Sequence, residues 1–593
     1  MKFAQITRLT MVATTLILGS GIFAQAQTEV DPDRLASIRE KLAQVEAVLD
    51  TLPDSAKKRL SSGAQNLLKL AQGWQEVEGT LAQIPVNGVN EKNAPRNDFG
   101  VSAESDAPND PAASFPISRA SADFVFSIMA GFTQSETSTA WCGNNVLTGF
   151  NDSGSIFESL LFGPGGVSGS GASISSNKGL TFHDVGYINP GTDFNNFLAG
   201  DPVVTCALLA QAAIPTFFYS QLFELGPSTA PLTAIAFSKS TDGGGSWSSP
   251  VAAVQKDART HFLDKDWSAV DPTNPGRIFV SYTDFDRSGT SGAPACGFVG
   301  GNPVLRIAIE LVRSSDGGAT WSNPVVIAQG CNVAPNFPQV QGSQIVVDSA
   351  ANVYVAWEFF QGAAGTTRSL LISKSTDNGS SFGAPITISN VIETGDGGGL
   401  QGGFRNNEFP MLAVDRSSGA LYVAWNDGRN FAIRDFEGAD GLYHFADILV
   451  SRSITGGATW SVPVLVNPPQ APHLVGLNLL GTDHYQPGIA VDHTGAVGVC
   501  WYDRRGDPAN FRFGRACSIS TTSGVTWTQN FLFNGNWSPI HATDVFLNPT
   551  YFGDYDTVAS DFLLSNSGFL GAFGFVSPSA LVPNQDVAIF IFP

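Results

Sequence analysis

Reactive side chains are grouped in several short segments of this chain, in which only 14% of the residues are charged. Carboxylates can transfer protons, arginines can hold anionic groups with two parallel hydrogen bonds, and tyrosines can act as nucleophiles. These types occur side by side in Asp264-Lys265-Asp266, Arg405 to Glu408, Asp483-His484-Tyr485, Asp503-Arg504-Arg505 and Asp554-Tyr555. The residue types needed for acid–base chemistry and for anion binding are therefore present.

The same charges also have a structural interpretation. The spacing Trp-x-Asp-x-Arg occurs twice, at 425–429 and at 501–505. A position that recurs between two copies of a repeat favours a structural role over a catalytic one. These charges either cap strand ends and pair with one another, or they form a ligand site, and the sequence leaves both interpretations open.

A repeated octet organises most of the chain. It reads Ser-Thr-Asp-Gly-Gly-Gly-Ser-Trp at 240–247, returns at 314–321 and 375–382, and has weaker copies at 175–182, 453–460 and 520–527. The copies are 61 to 78 residues apart, longer than the roughly 40–45 residues of a WD40 blade. Its structural residues include Asp242, Gly244, Trp247, Asp316, Gly318, Trp321, Asp377, Gly379, Phe382, Gly457, Trp460, Gly524 and Trp527.

The octet has the chemistry of a tight turn. An Asp side chain can accept hydrogen bonds from nearby backbone amides, and Gly supplies a positive φ. The Ser hydroxyl closes the turn, and the final aromatic residue anchors it in the core. We therefore expect a β-turn in each copy.

Strand patterns flank every octet. Apolar strands that end near Asp, such as Met411 to Asp415, precede strands that end in an aromatic residue, such as Leu421 to Trp425. Four antiparallel strands per unit, repeated radially, predict an all-β fold, a β-propeller over 120–593. Three more strands follow the sixth octet, and 123–129 is the expected fourth, so we predict seven blades closed by the two chain ends, with six as the alternative.

The first 118 residues differ from the propeller. Residues 1–26 have a basic start, an apolar stretch and the small-x-small site Ala24-Gln25-Ala26, which is typical of a cleaved signal peptide. Residues 31–84 carry two apolar stripes at helical spacing and predict a helical hairpin, interpreted as a spacer, a cap on the main domain or a self-association element. Residues 85–118 have the composition of a linker.

Composition limits the partners and the compartment. The net charge of −20 disfavours nucleic acid, and no later apolar run is long enough for membrane insertion after signal cleavage. We expect a secreted or periplasmic protein. The seven histidines lack zinc spacing. Asp284 to Gly289 has some acidic spacing but an incomplete calcium ligand set, so no metal or cofactor is expected, with a structural calcium left open.

The six cysteines form an even set that suits an oxidising compartment. The positions of these residues in the repeat units favour one pairing. Cys500 and Cys517 fall on neighbouring strands of one hairpin. The other expected pairs are Cys296 with Cys331 and Cys142 with Cys206.

The octet resembles the Asp-box, or BNR repeat, of sialidase-like β-propellers, and the resemblance covers about 120–593. It implies an Asp-box β-propeller, with ligands bound on the face opposite the octets, after the helical hairpin that the spacing in 31–84 predicts. That face consists of the loops that lead into strand 1 and those that join strands 2 and 3. The ligand-binding residues expected there are Arg405, Arg429, Asp483, His484, Arg504 and Arg505.

The resemblance implies two functions, a module that binds a carbohydrate or an extracellular protein, and an exo-sialidase-like glycoside hydrolase. A hydrolase would use Tyr485 or Tyr555 as nucleophile, Glu408 to activate it, and Asp264 or Asp266 as acid and base. Arg405, Arg429 and Arg505 would then converge on the substrate carboxylate. The chain lacks the Phe/Tyr-Arg-Ile-Pro motif that opens sialidases, so binding is the preferred interpretation.

Overall fold

The computed structural model describes residues 32–52, single positions between 57 and 72, residues 114–116, and residues 133–592 with gaps at 164, 210–211, 213, 291–294, 363–366, 396–398, 435–440, 476–477, 529–530, 540–550 and 578–583. The predicted signal peptide lies outside the described residues. So do most of the second helical stripe and the strand expected at 123–129.

The chain forms a seven-bladed β-propeller, as predicted, in which each blade contains a four-stranded antiparallel sheet. From the innermost strand outward, the blades are as follows: blade 1, Gln134–Cys142, Asn145–Asp152, Ser170–Ser175, His183–Tyr187; blade 2, Phe197–Ala207, Thr216–Leu225, Leu232–Ser240, Val251–Asp257; blade 3, His261–Val270, Ile278–Asp286, Arg306–Ser314, Val325–Cys331; blade 4, Gln339–Val347, Val353–Gln361, Thr367–Ser375, Ile386–Val391; blade 5, Met411–Val414, Leu421–Asp427, Asp447–Ser453, Val464–Leu465; blade 6, His484–Val491, Val497–Asp503, Phe513–Ser520, Phe531–Trp537; blade 7, Val558–Ala559, Phe569–Ser577, Asn584–Phe592, Ser114–Pro116.

Short elements decorate the blades. Helix α1 spans Pro32–Asp50, and helix α2 spans Ser153–Phe162 after the second strand of blade 1. Val167–Ser168 pairs in parallel with the start of blade 2. Two-stranded hairpins join Phe298–Val299 to Asn302–Pro303, Gly399–Leu400 to Phe404–Arg405, Ala432–Arg434 to Leu442–His444, and His473–Val475 to Asn478–Leu480. No helix in the described ranges is both long enough and apolar enough to cross a bilayer.

The two ends of the chain close the ring in blade 7. Ser114–Pro116 pairs antiparallel with Asn584–Phe592, and Phe115 lies opposite Ile589. This outer strand lies inside the segment interpreted from the sequence as a linker. The first and last described strands of the propeller thus belong to one sheet, and their pairing closes the ring of blades.

The octets form the turns between the third and fourth strands of blades 1 to 6. In blade 3, Ser314 Oγ donates to Asp316 Oδ1 (2.8 Å), and the Gly318 amide donates to Ser314 Oγ (2.9 Å). The amide and hydroxyl of Thr320 donate to the two Asp316 oxygens (2.9 and 2.6 Å). The Thr320 hydrogen bonds lower the pKa of Asp316 to about 2.

The octets also join neighbouring blades. Gly318 has φ +85°, and a Cβ at this position would lie 2.5 Å from the Phe237 ring of the preceding blade. Trp321 packs edge-to-face on the same ring, with the ring centroids 4.9 Å apart. Gly at this position is therefore required both by its backbone conformation and by the close approach of blade 2.

Three disulfides join Cys142 with Cys206, Cys296 with Cys331, and Cys500 with Cys517, which are the pairs expected from the sequence. The first connects the innermost strands of blades 1 and 2. The second ties the loop before the third strand of blade 3 to the end of its fourth strand. The third joins paired residues on the second and third strands of blade 6.

The N-terminal helical residues pack on the propeller face opposite the octets. We call α1 together with the described positions 57–72 the N-terminal cap. One stripe of α1 is buried, including Ile38, Leu42 and Leu49, in one cluster with Phe262 and Leu263 of blade 3. Gln44 Nε2 donates to the carbonyl oxygen of Ser228, in the loop between strands 2 and 3 of blade 2 (2.6 Å).

Candidate functional site

The innermost strands share an irregularity near their first residues, on the face opposite the octets. β-Bulges in blades 1, 2, 3 and 6 place Glu136, Asp201, Lys265 and Gln486 in the left-handed region, with φ between 51° and 57°. Gly342 has the corresponding place in blade 4, with φ +67°. Left-handed non-glycine residues are uncommon and concentrate at functional sites.

Acidic residues from three blades meet at this end of the channel, which we call the channel mouth. The Asp554 amide donates to Glu136 Oε1 (2.8 Å), and Asn151 Nδ2 donates to Glu136 Oε2 (2.8 Å). Asn151 Oδ1 in turn accepts from the Asp201 amide (2.8 Å). Residues more than 400 positions apart in sequence are thereby fixed relative to one another.

Two cations balance the acids. Lys265 Nζ donates to Asp554 Oδ2, and Arg405 Nη2 lies 3.1 Å from the same oxygen. Asn407 Nδ2 donates to Asp554 Oδ1 (3.1 Å). Asp554 therefore receives two charged side-chain donors and one neutral side-chain donor.

The carboxyl groups of the mouth are shifted in opposite directions. Burial raises the pKa of Asp266 well above its usual range, and Asp201 nearby adds to the shift. Burial also acts to raise the pKa of Asp554, but Arg405 and Lys265 outweigh it and hold that pKa below its usual value. Burial therefore favours the protonated form of Asp266, whereas the two cations favour the ionised form of Asp554.

A small cavity of about 30 Å³ lies between these groups, enough for about one water molecule. Its lining includes Asp266, Asp554, Gln486, Trp267 and Tyr555. Gln486 is 95% buried, and neither amide atom of its side chain has a hydrogen-bond partner in the described part of the chain. A buried amide left in this way is a binding group for a ligand or a water.

Four of the residues predicted from the sequence lie at the mouth, namely Asp264, Asp266, Arg405 and Tyr555. Asp264 Oδ2 accepts from Gln341 Nε2 (3.1 Å). The Tyr555 hydroxyl donates to the Pro202 carbonyl (2.8 Å), and its ring packs edge-to-face on Trp267. Burial raises the pKa of Tyr555 well above its usual range, so its hydroxyl stays protonated.

Three predicted residues form part of the wall of blade 6. Tyr485 packs on Phe404, with ring centroids 4.8 Å apart, and burial raises the pKa of Tyr485 to about 12. Arg504 is completely buried and donates to the carbonyl oxygens of Gln401 and Asn510. Asp483 accepts from the Tyr443 hydroxyl (2.7 Å). These side chains hold loops together and face the protein interior.

Arg429 and Arg505 do not converge with Arg405. Each pairs with the aspartate two residues before it, Asp427 or Asp503, at 2.6 Å. The same aspartates accept from the indole nitrogens of Trp425 and Trp501, so the repeated Trp-x-Asp-x-Arg spacing forms the same structure twice.

His484 and Glu408 are likewise held by neighbours. His484 lies 3.6 Å from both Asp447 and Asp503. Glu408 accepts from Thr394 (2.7 Å) and from Arg368. The bonded partners of Glu408 thus differ from those of Tyr485 and Tyr555, so the expected pairing of Glu408 with one of these two tyrosines is not seen.

Sequence reasoning missed Glu136, Asp201 and Gln486 as site residues. One signal was present, because Lys265, Gly342 and Gln486 each stand six residues before the aspartate that follows the innermost strand, Asp271, Asp348 or Asp492. Lys265 and Gln486 at that place are polar, and position 342 is Gly. Blades 1 and 2 have no aspartate six residues after Glu136 and Asp201, so this spacing could not identify these two residues.

One group of potential metal ligands lies in blade 3, at the start of its first strand and the end of its second. It consists of His261, Asp284 and Asp286, whose ligand atoms lie within 4.8 Å of one another. Lys256 and Arg306 already pair with Asp284, at 2.7 and 3.2 Å. Two protein cations on the central carboxylate disfavour a calcium ion there.

No protein-family profile and no curated protein sequence matches the chain. Its structural neighbours include a protein of unknown function from Dyadobacter fermentans (TM-score 0.40, 12% identity, 81% of this chain and 98% of that one). They also include a Hadza microbial sialidase (0.38, 12%, 81% and 68%) and an α-L-arabinofuranosidase from Fusarium graminearum (0.41, 11%, 66% and 96%). Similarity at this level concerns the fold only.

Proposed function

We propose that the channel mouth binds a carbohydrate and hydrolyses a glycosidic bond with two carboxyl groups. The observation that carries this proposal is that Asp266 and Asp554 line one cavity with their pKa values moved in opposite directions. Pairs of carboxyl groups separated in this way supply an acid and a base at one pH. The amides of Gln486 and Asn407 and the ring of Trp267 suit a ligand with many hydroxyls and an apolar face.

The roles follow from the charges. Asp266, protonated, donates its proton to the glycosidic oxygen as the bond from that oxygen to the anomeric carbon breaks. Asp554, ionised, either attacks the anomeric carbon or accepts a proton from the attacking water. Lys265 and Arg405 keep Asp554 ionised, and Glu136 fixes its backbone.

This proposal differs from the sialidase pattern in its nucleophile and in its arginines. Tyr485 and Tyr555 have raised pKa values and no bonded glutamate, which argues against either as the nucleophile. Arg429 and Arg505 are assigned structural roles, because each forms an ion pair with the aspartate of its own loop.

A second function is favoured by the size of the cavity. A space of about 30 Å³ holds no sugar ring, so the face could bind a glycan or an extracellular protein along its rim without chemistry. In that case Asp266 and Asp554 stabilise the ring of blades.

The test is a glycan array combined with hydrolysis assays on fluorogenic glycosides. It uses the native chain and the Asp266→Asn and Asp554→Asn variants, each also with Leu49→Asp, which loosens the N-terminal cap. We expect hydrolysis to fall by about 1,000-fold in each mouth variant while glycan binding persists. Asp316→Asn, on the octet face, is the control and should retain activity. Glycan binding without hydrolysis in the chains that keep Asp266 and Asp554, with and without Leu49→Asp, would support the second function, and absence of both binding and hydrolysis in these chains would overturn the proposal.

A further inference from the structure

The N-terminal cap touches the channel mouth itself. Arg405 Nη2 donates both to the Leu60 carbonyl oxygen of the cap and to Asp554 Oδ2 of the mouth. Leu60 and Ala64 are completely buried, in one hydrophobic cluster with Tyr551. A single guanidinium thus connects the cap to the carboxylate that we assign as base or nucleophile.

Helix α1 holds the cap over the same face. Its buried stripe packs near the start of the innermost strand of blade 3, and Gln44 bonds the strand 2–3 loop of blade 2. These loops surround the mouth on one side, while Arg405 approaches from blade 5 on the other. The described cap positions therefore contact the face on two sides of the mouth.

The interface also contains a group that weakens it. Lys41 of α1 is 94% buried, and its ammonium nitrogen has no hydrogen-bond partner in the described ranges. Glu224 and Asp193 of the propeller interact with this ammonium group only through space. Burying an ammonium group without hydrogen bonds opposes docking. A segment that serves only to stabilise the fold gains nothing from a buried ammonium group without hydrogen bonds. A segment that must undock gains from it, because the unfavourable burial makes undocking easier.

We propose that the N-terminal cap is an intramolecular inhibitor that closes the channel mouth and that must move before a glycan can enter. The proposal rests on the assignment of the mouth as the binding site. Displacement frees Arg405 from Leu60, leaves it on Asp554, and opens the cavity to solvent. None of the described cap positions lines the cavity itself, so the cap acts on it through Arg405.

The experiment measures access to the mouth without any glycan. Because the described cysteines are all in disulfides, Gln486→Cys adds one thiol whose reaction with a small methanethiosulfonate reagent reports opening. The rate is compared in the full chain with the native cap, with Leu49→Asp on the buried stripe of α1, and with Ala64→Asp beside Leu60. Ala47→Asp, on the exposed side of α1, adds the same charge without loosening the cap.

We expect Leu49→Asp and Ala64→Asp to raise the labelling rate at least tenfold and Ala47→Asp to leave it unchanged. The thermal transition of the propeller shows whether each variant is folded, and two loosening variants guard against the loss of one. Equal labelling rates in folded loosened and native chains would overturn the proposal, as would fast labelling under the native cap.

The glycan assays separate this inference from the proposed function. Faster labelling with no glycan binding or hydrolysis would support the cap and refute the assignment of the mouth. Hydrolysis that is unaffected by cap variants, together with unchanged labelling, would refute the cap alone.

Discussion

The two faces of the propeller use polar residues in opposite ways. On the octet face, Asp316 receives its hydrogen bonds from residues within four positions along the chain, and the arrangement recurs in blade after blade. At the channel mouth, Asp554 is bonded by Lys265, Arg405 and Asn407, which come from two other blades. Local, repeated bonding shapes the turns of each blade, whereas long-range, unrepeated bonding at the mouth connects different blades.

Left-handed residues show the same contrast. The octet face places Gly at most of these positions, and so avoids strain. The mouth uses the same bulge in five blades but keeps Gly only at Gly342, while Glu136, Asp201, Lys265 and Gln486 accept an unfavourable conformation. At the mouth, four of the five bulges thus carry backbone strain that a Gly would relieve.

The largest effect is expected where a buried ion pair of the mouth is broken. Lys265→Met leaves Asp554 with Arg405 as its one bonded cation, and we expect the free energy of unfolding to fall by about 3–5 kcal/mol. Lys374→Met is the matched change on the octet side, where Lys374 lies over the Tyr354 ring at 5.2 Å, and it should cost less than about 1 kcal/mol. Denaturant unfolding followed by tryptophan fluorescence measures both. Equal losses would remove the distinction between the two faces.

A second prediction concerns the octets. Gly318→Ala introduces a Cβ that would lie 2.5 Å from Phe237, at φ +85°, so we expect a loss of about 3 kcal/mol from clash and strain together. Gly317→Ala is the control, because its φ is +71° and nothing lies within 4 Å of the added Cβ. Only the strain of about 1–2 kcal/mol remains there. A similar loss in both variants would show that the octet does not depend on packing against the preceding blade.

These contrasts also explain how far the sequence predicted the structure. The blades could be predicted because Ser, Asp, Gly and an aromatic residue recur at fixed spacing and specify a local turn. Helix α1 could be predicted because its apolar stripe has helical spacing, and Leu42 and Leu49 are indeed buried. The meeting of Glu136 with Asp554, or of Arg405 with Leu60, depends on closing the ring and docking the cap, and no local pattern records either event.

The three arginines that were expected to converge differ in the structure. Arg405, Arg429 and Arg505 are alike in the sequence, since each stands beside acidic residues near a strand end. Only Arg405 lacks a carboxylate two residues before it, and of the three arginines it is Arg405 that bonds Asp554 at the mouth. Arg429 and Arg505 instead donate to Asp427 and Asp503 of their own loops.

A third prediction concerns the cap. Burial lowers the pKa of Lys41 from 10.5 to about 8, so the docked cap carries an unfavourable term that is fully present below pH 8. This free-energy cost declines as the pH rises from 8 to 10.5, because docking then releases the proton that the free lysine would keep.

Lys41→Met removes this cost, and we expect cap docking to be stabilised by on the order of 2 kcal/mol at pH 7, with the gain fading toward pH 10. Lys41→Arg, which retains the charge, should give no gain. The labelling rate of Gln486→Cys across this pH range measures the effect, and a gain in Lys41→Met that does not fade would contradict it.

The smallest effect is expected from releasing strain at the mouth. Gln486→Gly removes a left-handed side chain and two unpaired amide atoms, gains that outweigh the greater chain entropy of unfolded glycine. We expect the free energy of unfolding to rise by about 1 kcal/mol, although a cavity-lining side chain is lost.

Ala351→Gly is the matched control, since Ala351 is also left-handed, at φ +59°, but lies in the turn after the innermost strand of blade 4. It should be stabilised by about the same amount. The two variants should differ in glycan binding, measured with the cap loosened, because only Gln486 lines the cavity. A protein that loses stability on Gln486→Gly, or that binds glycans equally in both variants, would show that this strained residue is part of the scaffold after all.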